Sequence, residues 1–290
     1  MPAVTANGIT LEYEERGDKN GSPLVLIMGL GQQLTAWPEE FVDGLAEQGF
    51  RVILFDNRDA GLSTKISGKA PNVVAQVLLS RLGIKLRVPY TLEDMARDTA
   101  GLLAALNIDA AHIAGASMGG MVAQIVAGRY KEKVKTLTCM ITTSGGHTAL
   151  PKKEVIKFML NRPKDLERET WINYYCDMFT LIGSPDTDPD DLRKRVTLNI
   201  ERALYPQGTA RQLAAILHNN SRVSILKEVK APTLVISGEK DPMVPAEGGR
   251  DIAANVKGAR FELMEGMGHD LPARLIPQIV ELIASHVKSN

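Results

Sequence analysis

Residues 110–130 constrain the fold more than any other stretch of this chain, because they specify a buried strand, an abrupt turn and a helix with almost nothing between them. Residues 110–114, Ala-Ala-His-Ile-Ala, form a short, mostly apolar run ending at Gly115, the pattern of a strand covered on both faces. After Ser117 the period changes: Met121, Val122, Ile125 and Val126 share one face of a helix running to about Tyr130. The turn between them holds Gly115, Ala116, Ser117, Gly119 and Gly120. A Cβ at 115 or 119 is expected to collide with neighbouring backbone, since the turn brings strand and helix close together. Ser117 then falls near the amino end of its helix, where unpaired N–H groups and the macrodipole favour developing negative charge.

Strand and helix signals alternate on either side of this unit. Residues 9–15, 24–27, 52–55 and 134–141 read as strands, and helices are expected near 38–48, 91–106 and 118–130. Such alternation predicts an α/β fold: a mostly parallel central sheet with helices on both faces, and a site at the carboxyl ends of its strands. From residue 144 to about 229 the strand signal disappears. Trp171, Tyr174, Tyr175, Met178, Phe179 and Ile182 fall on one helical stripe there, and Asp188-Pro189 with Asp191 reads as a helix start. The expected organisation is therefore a core of residues 1–144 and 230–290, with residues 145–229 inserted as a helical cap. The aromatic stripe is expected mainly to pack onto the core, with part of it roofing a pocket. Residues 67–90, apolar over 73–82, are expected to border the same entrance.

Two later segments carry titratable groups just beyond predicted strands. Thr233, Leu234, Val235 and Ile236 read as a buried strand, and the loop from Gly238 carries both Glu239 and Asp241. Phe261 to Met264 reads as a last strand, after which Gly266 and Gly268 give a loose loop carrying His269. Of the five histidines, only His269 has this setting. His112 lies inside the strand before Ser117 and is expected to be a packed core residue. His218 and His286 lie on predicted helices and are expected at the surface, and His147 is placed at a pocket border without a chemical role. Gly29-Leu30-Gly31 follows a strand and Asp56 ends the next one, as in a dinucleotide site, but position 34 is leucine where the third glycine belongs.

The segment Gly115-Ala116-Ser117-Met118-Gly119, followed in chain order by Asp241 and His269, resembles the nucleophile, acid and base of the α/β-hydrolase superfamily, and the resemblance runs the whole length of the chain. Met28-Gly29, Trp37-Pro38 with Phe41, Asp56-Asn57-Arg58-Asp59-Ala60-Gly61-Leu62-Ser63 and Gly266-Met267-Gly268-His269 are similar to the bacterial serine carboxylesterase branch that contains aclacinomycin methylesterase. The resemblance implies the α/β-hydrolase fold, Ser117 as nucleophile and His269 as general base. It selects Asp241 over Glu239 as the orienting acid, because the family's strand-G-x-x-D-P pattern falls on that residue. It also implies an oxyanion hole made by the backbone N–H groups of Leu30 and Met118, with Met28 where relatives commonly carry histidine. The implied substrate is an uncharged small-molecule ester, methyl or of short to medium acyl length, cleaved through an acyl-enzyme on Ser117 without a cofactor or metal. A perhydrolase, a thioesterase, a carbon-carbon bond hydrolase and a non-catalytic ligand receptor are the alternatives on the same fold. Haloalkane dehalogenases and epoxide hydrolases carry aspartate where this chain has serine. The Asp56–Ser63 stretch is expected to brace a turn, with Asp56 accepting backbone N–H bonds and Arg58 pairing with a carboxylate beneath the oxyanion loop. Trp37 and Phe41 are expected in the core.

Composition narrows the partners. Lys and Arg number 34 and Asp and Glu 34, so no net field attracts nucleic acid or an anionic membrane. No stretch is apolar enough for membrane insertion, and no Walker loop, H-E-x-x-H, C-x-x-C or EF-hand pattern is present. Cys139 and Cys176 are too few for a disulfide framework, and the amino terminus lacks the features of a secretory signal, so a cytoplasmic location is the expectation. Oligomeric state is left open by the sequence.

Overall fold

The computed structural model describes residues 2–68, 72, 75, 87–146, 149–219 and 221–290. Eight strands form one sheet: β1 (Ala3–Ala6), β2 (Ile9–Arg16), β3 (Ser22–Ile27), β4 (Phe50–Phe55), β5 (Ala111–Ala116), β6 (Val134–Met140), β7 (Thr233–Gly238) and β8 (Arg260–Met264), in the order β1-β2-β4-β3-β5-β6-β7-β8. β1 and β2 pair antiparallel, as do β2 and β4; the pairings from β4 through β8 are parallel. The edge hairpin β1-β2 is partly new relative to the sequence reading, which has no strand at 3–6. That strand is short and mostly exposed, so it lacks the buried apolar run by which the inner strands announce themselves.

The inner strands are apolar on both faces because both are covered. Val25, Ile27, Ile53, Phe55, Ile113, Leu137, Cys139 and Val235 join one core layer with α2 (Leu92–Ala105) and α3 (Met118–Arg129). Their alternates Leu24, Leu26, Val52, Leu54, Ala114, Met140, Leu234 and Ile236 join a second layer with α1 (Glu39–Glu47) and the C-terminal helix Ile276–Lys288. The three core helices predicted near 38–48, 91–106 and 118–130 thus lie where the apolar periodicity puts them. α2 begins with a capping box, Thr91 accepting from Asp94 N–H while the Asp94 carboxylate accepts from Thr91 N–H.

Between β6 and β7 the described elements are helical: α4 (Lys153–Leu160), α5 (Arg168–Ile182), α6 (Pro189–Arg202), α7 (Pro206–His218) and α8 (Val223–Leu226). Asp188 caps α6 with its carboxylate and Pro189 opens the first turn, the start read from the sequence. The aromatic stripe on α5 differs from expectation. Trp171 and Ile172 pack against Leu192, Val196 and Ile200 of α6, and Met178 and Ile182 against Val155 of α4, so the stripe builds small cores within the inserted helices instead of docking on the sheet. α7 does dock on the core: Arg211 pairs with Asp59 through two hydrogen bonds of 2.8 and 3.0 Å, both side chains being essentially inaccessible. Arg202 at the end of α6 pairs with Asp56 at 2.8 Å. The apolar segment 73–82 lies outside the described residues apart from Ala75, as does His147.

Two expectations about histidines separate here. His112 is a packed core residue, its Nε2 3.1 Å from Ser22 Oγ and its Nδ1 2.9 Å from Thr136 Oγ1. His286, expected at a helix surface, is buried instead, with Nε2 3.2 Å from the Pro232 carbonyl; it sits on the inward face of the last helix, where amphipathic phase overrides its polarity. Burial, with the charges of Lys135 and His286, holds His112 down at about 4. The unfolded chain takes up this proton near the ordinary value of about 6.5, so between those values the unfolded state binds more protons and stability falls as pH drops. The unfolding free energy from urea titrations should therefore fall between pH 7.5 and 5.5, with roughly 1 kcal/mol of that loss due to His112. The pH slope should be shallower in His112→Gln by that amount, and an unchanged slope would contradict the assignment.

Candidate active site

Ser117 sits at the sharp junction of β5 and α3, with φ 55° and ψ −120°. A non-glycine residue there costs on the order of 1–3 kcal/mol, so the surroundings must hold it in place. Ser117 N–H donates to the Met140 carbonyl at 3.0 Å, while its own carbonyl accepts from Thr142 Oγ1 at 2.6 Å and from Met121 N–H at 3.2 Å. The glycines behave as the sequence implies: a Cβ on Gly115 would meet the Gly119 carbonyl, and one on Gly119 would meet the Ile27 carbonyl. Ile141, just past β6, is also forced to positive φ, 44°, so strained backbone ends two neighbouring strands at this site.

Asp241 follows β7 with its side chain wholly buried. Its Oδ1 accepts from Met243 N–H and Val244 N–H, each at 2.8 Å, which leaves Oδ2 facing His269 Nδ1 at 2.7 Å. Capping the following turn and orienting the imidazole are thus done by different oxygens of one carboxylate. Glu239, the alternative in the same loop, is exposed and accepts from Gly266 N–H at 2.9 Å, away from the imidazole. His269 Nε2 lies 2.9 Å from Ser117 Oγ. Three residues, Ser117 lying 152 positions before His269 and Asp241 28 before it, therefore form one hydrogen-bonded line from a buried carboxylate to a half-buried hydroxyl. The Cys139 thiol, in β6 nearby, is pushed up to about 12 by burial and is no rival nucleophile.

The loop after β3 comes against this line. A Cβ on Gly29 would lie 3.2 Å from Ser117 Cβ, so the backbone there comes close against Ser117. Met118 is the first residue of α3, where N–H groups have no intrahelical acceptor. Asn57 Nδ2 donates to the Met28 carbonyl at 2.9 Å, and Asp56 accepts from Leu34 N–H at 2.7 Å and Leu62 N–H at 2.8 Å. Arg58 pairs with Asp98 of α2 through bonds of 2.6 and 2.7 Å. The Asp56–Ser63 stretch is accordingly a brace beneath the loop, as expected.

A cavity of about 1460 Å3 opens over these residues, bordered by Ser117, His269, Leu30 and the inserted helices. Trp171, Tyr174, Tyr175, Met178, Phe179 and Ile182 all border it, so the stripe expected mainly in the core is a wall of the pocket. Trp37 is buried and stacked on Phe41, with ring centroids 5.5 Å apart, yet it too borders the cavity. Among the described residues no cluster of three or more His, Cys, Asp or Glu converges as a metal site.

Residues 22–272 match the family model for the alpha/beta hydrolase fold, and the chain belongs to that family. It is similar to rhodomycin D methylesterase from Streptomyces peucetius, 29% identical over 99% of this chain and 97% of that protein. The rhodomycin D methylesterase of Streptomyces sp. (strain C5) is 30% identical with the same coverage. Among solved structures, the enol-lactonase from Burkholderia xenovorans LB400 superposes with a TM-score of 0.79 at 22% identity, covering 99% of this chain and all of the other, a likeness of fold.

Sequence reasoning missed the residues that hold the His269 loop in place. His269 N–H donates to the Ile182 carbonyl at 2.7 Å, at the end of α5, and Gly268 N–H to Ser184 Oγ at 2.9 Å. Asp270 accepts from Ser184 N–H at 3.0 Å, Ser184 Oγ at 2.6 Å and Thr187 Oγ1 at 3.0 Å. No local pattern marks these contacts, because their partners lie more than eighty residues away. Asp270→Ala should lower the unfolding free energy by about 1–3 kcal/mol in denaturant titration, since it strips acceptors from partly buried donors. An unaltered midpoint would show that the clamp adds nothing.

Proposed function

We propose that the chain is a serine carboxylesterase that cleaves small-molecule carboxylic esters, methyl or of short to medium acyl length, through an acyl-enzyme on Ser117. The observation that carries this reading is the unbroken line from Asp241 through His269 to Ser117, ending inside a large apolar cavity. A serine hydroxyl attacks only when a base takes its proton as the bond forms, and His269 Nε2 is placed to do so. Asp241 Oδ2 holds Nδ1–H, fixes the tautomer and stabilises the imidazolium. As Ser117 Oγ bonds to the ester carbon, the carbonyl electrons move onto oxygen, and that oxyanion is received by Leu30 N–H and Met118 N–H. Its collapse expels the alcohol, which takes the proton from His269. Water then attacks the acyl carbon with His269 again as base, and the acid leaves with Ser117 restored.

Two curated relatives at 29 and 30% identity are named methylesterases, which supports a small alcohol on the leaving side. The aromatic wall of α5 supports a bulky, apolar acid on the other. In this reading residues 145–229 act as a cap on a core made of residues 1–144 and 230–290. A cytoplasmic site of action goes with it, supported by two cysteines that are both free. Among the described residues no helix is long and apolar enough to cross a membrane.

A fluorophosphonate probe should label Ser117 alone in the folded protein, as read by peptide mass spectrometry; absence of label there would remove the hydrolase reading. Leu30→Ala should retain most activity against a methyl ester. Leu30→Pro, which deletes the N–H, should lower kcat by about 10²–10³ in protein whose circular dichroism is unchanged. Equal loss in both variants would contradict Leu30 as the oxyanion donor.

A further inference from the structure

The Gly29–Leu30 peptide is fixed on three sides. Its carbonyl, Gly29 O, accepts from Gln32 N–H at 3.2 Å, and because a trans peptide points its C=O and N–H in opposite directions, Leu30 N–H is turned out of that small turn. The preceding peptide is held by Asn57 Nδ2 on the Met28 carbonyl. The following peptide is held from across the molecule: Gly31 N–H donates to Gln212 Oε1 at 2.7 Å.

Gln212 belongs to α7, in the inserted helices, and is fully buried. Its other end is used as well, Nε2 donating to the Arg58 carbonyl at 2.8 Å. One planar amide therefore ties the oxyanion loop to the brace beneath it, and rotating it to serve one partner would unmake the other. Neighbouring α7 contacts keep that amide in place. Arg211 is locked on Asp59, and a Cβ on Gly31, whose φ is 69°, would strike Thr209. Removing the amide leaves a half-buried donor at Gly31 and a buried acceptor at Arg58 without these partners. The loop's cheapest response is to rotate the Leu30–Gly31 peptide, which carries its neighbour, the Gly29–Leu30 peptide, with it.

We propose that Gln212 is a positioning residue for the oxyanion hole: through Gly31 N–H it sets the direction of Leu30 N–H, so the inserted helix α7 is part of the catalytic frame. The inference rests on the esterase reading and adds to it a residue from outside the hydrolase core. A donor turned off line stabilises the tetrahedral state less while leaving the ground state nearly untouched, so the loss belongs in kcat.

The test compares wild type with Gln212→Met, which keeps the volume and loses both hydrogen bonds, using a methyl ester, an aryl trifluoromethyl ketone and the product acid. The ketone adds to Ser117 as a tetrahedral hemiketal whose oxyanion needs the hole, whereas the product acid does not. Expected are a kcat about ten-fold or more below wild type with KM within two-fold, trifluoromethyl ketone affinity weakened by a similar factor, and product-acid affinity unchanged. If kcat and ketone affinity stay within two-fold of wild type, or if ketone and product acid weaken equally, Gln212 is a structural residue only and the proposal falls. Should Gln212→Met fail to fold, Gln212→Asn keeps an amide in the core but is one methylene too short to hold Gly31 N–H and the Arg58 carbonyl together, and the same ratio of ketone to product-acid affinity decides. Ketone affinity weakened about ten-fold with product-acid affinity unchanged supports the proposal, and a ratio within two-fold of wild type overturns it. A wild-type protein whose ketone affinity is unaltered by Ser117→Ala would instead refute the esterase reading, an outcome separate from any result at position 212.

Discussion

The strained turn at Ser117 is the constraint on which the rest of the structure depends. A residue at φ 55° persists only where its neighbours leave no alternative, and here they do so by close approach: the strand before the turn, the helix after it and the end of β3 touch where three glycines have removed the side chains. The same contact that forces the turn also aims the hydroxyl off the sheet, toward the loops after β7 and β8. Placement of the Ser117 hydroxyl is thus a packing result, and the energy for it comes from a core buried on both faces of the sheet.

Charge does the equivalent work on the other side of the pocket. Asp56, Asp59 and Asp98 are buried, and each meets an arginine: Arg202, Arg211 and Arg58 respectively. Isolated charges in such places would be prohibitive, and hydrogen-bonded pairs offset the desolvation without being a large source of net stability. Their value here is geometric. Two of the three arginines come from the inserted helices, so the loop after β4, which braces the loop after β3, is gripped from above as well as below. The loop carrying His269 is held in the same manner by the end of α5 and by Ser184. The inserted helices are therefore tied to the loop after β4 and to the His269 loop as well as walling the cavity over Ser117.

What was legible in the sequence follows from how locally each feature is encoded. The inner strands, the three core helices and the start of α6 are written in apolar period, caps and proline, and they lie where those signals put them. Ser117, Asp241 and His269 were singled out because the family's motifs mark each one just beyond a strand, and the structure separates Asp241 from Glu239 by burial, its two amide contacts and its 2.7 Å contact with His269. The aromatic stripe of α5 was misjudged because period reports that a face is buried and not what buries it. His286 was misplaced for the converse reason, a polar residue carried inward by the phase of its helix. Gln212, Ser184 and Asp270 left no trace, since their contacts span more than eighty residues and each looks like ordinary helix or loop polarity.

The central claim is that Ser117 carries the acyl group between two half-reactions, and acid-quenched mass spectrometry under saturating ester tests it most directly. The peptide containing Ser117 should gain the mass of the acyl group within the first turnover, and Ser117→Ala should neither gain it nor turn over the ester. Acylation at another residue, or undiminished hydrolysis by Ser117→Ala, would contradict the account.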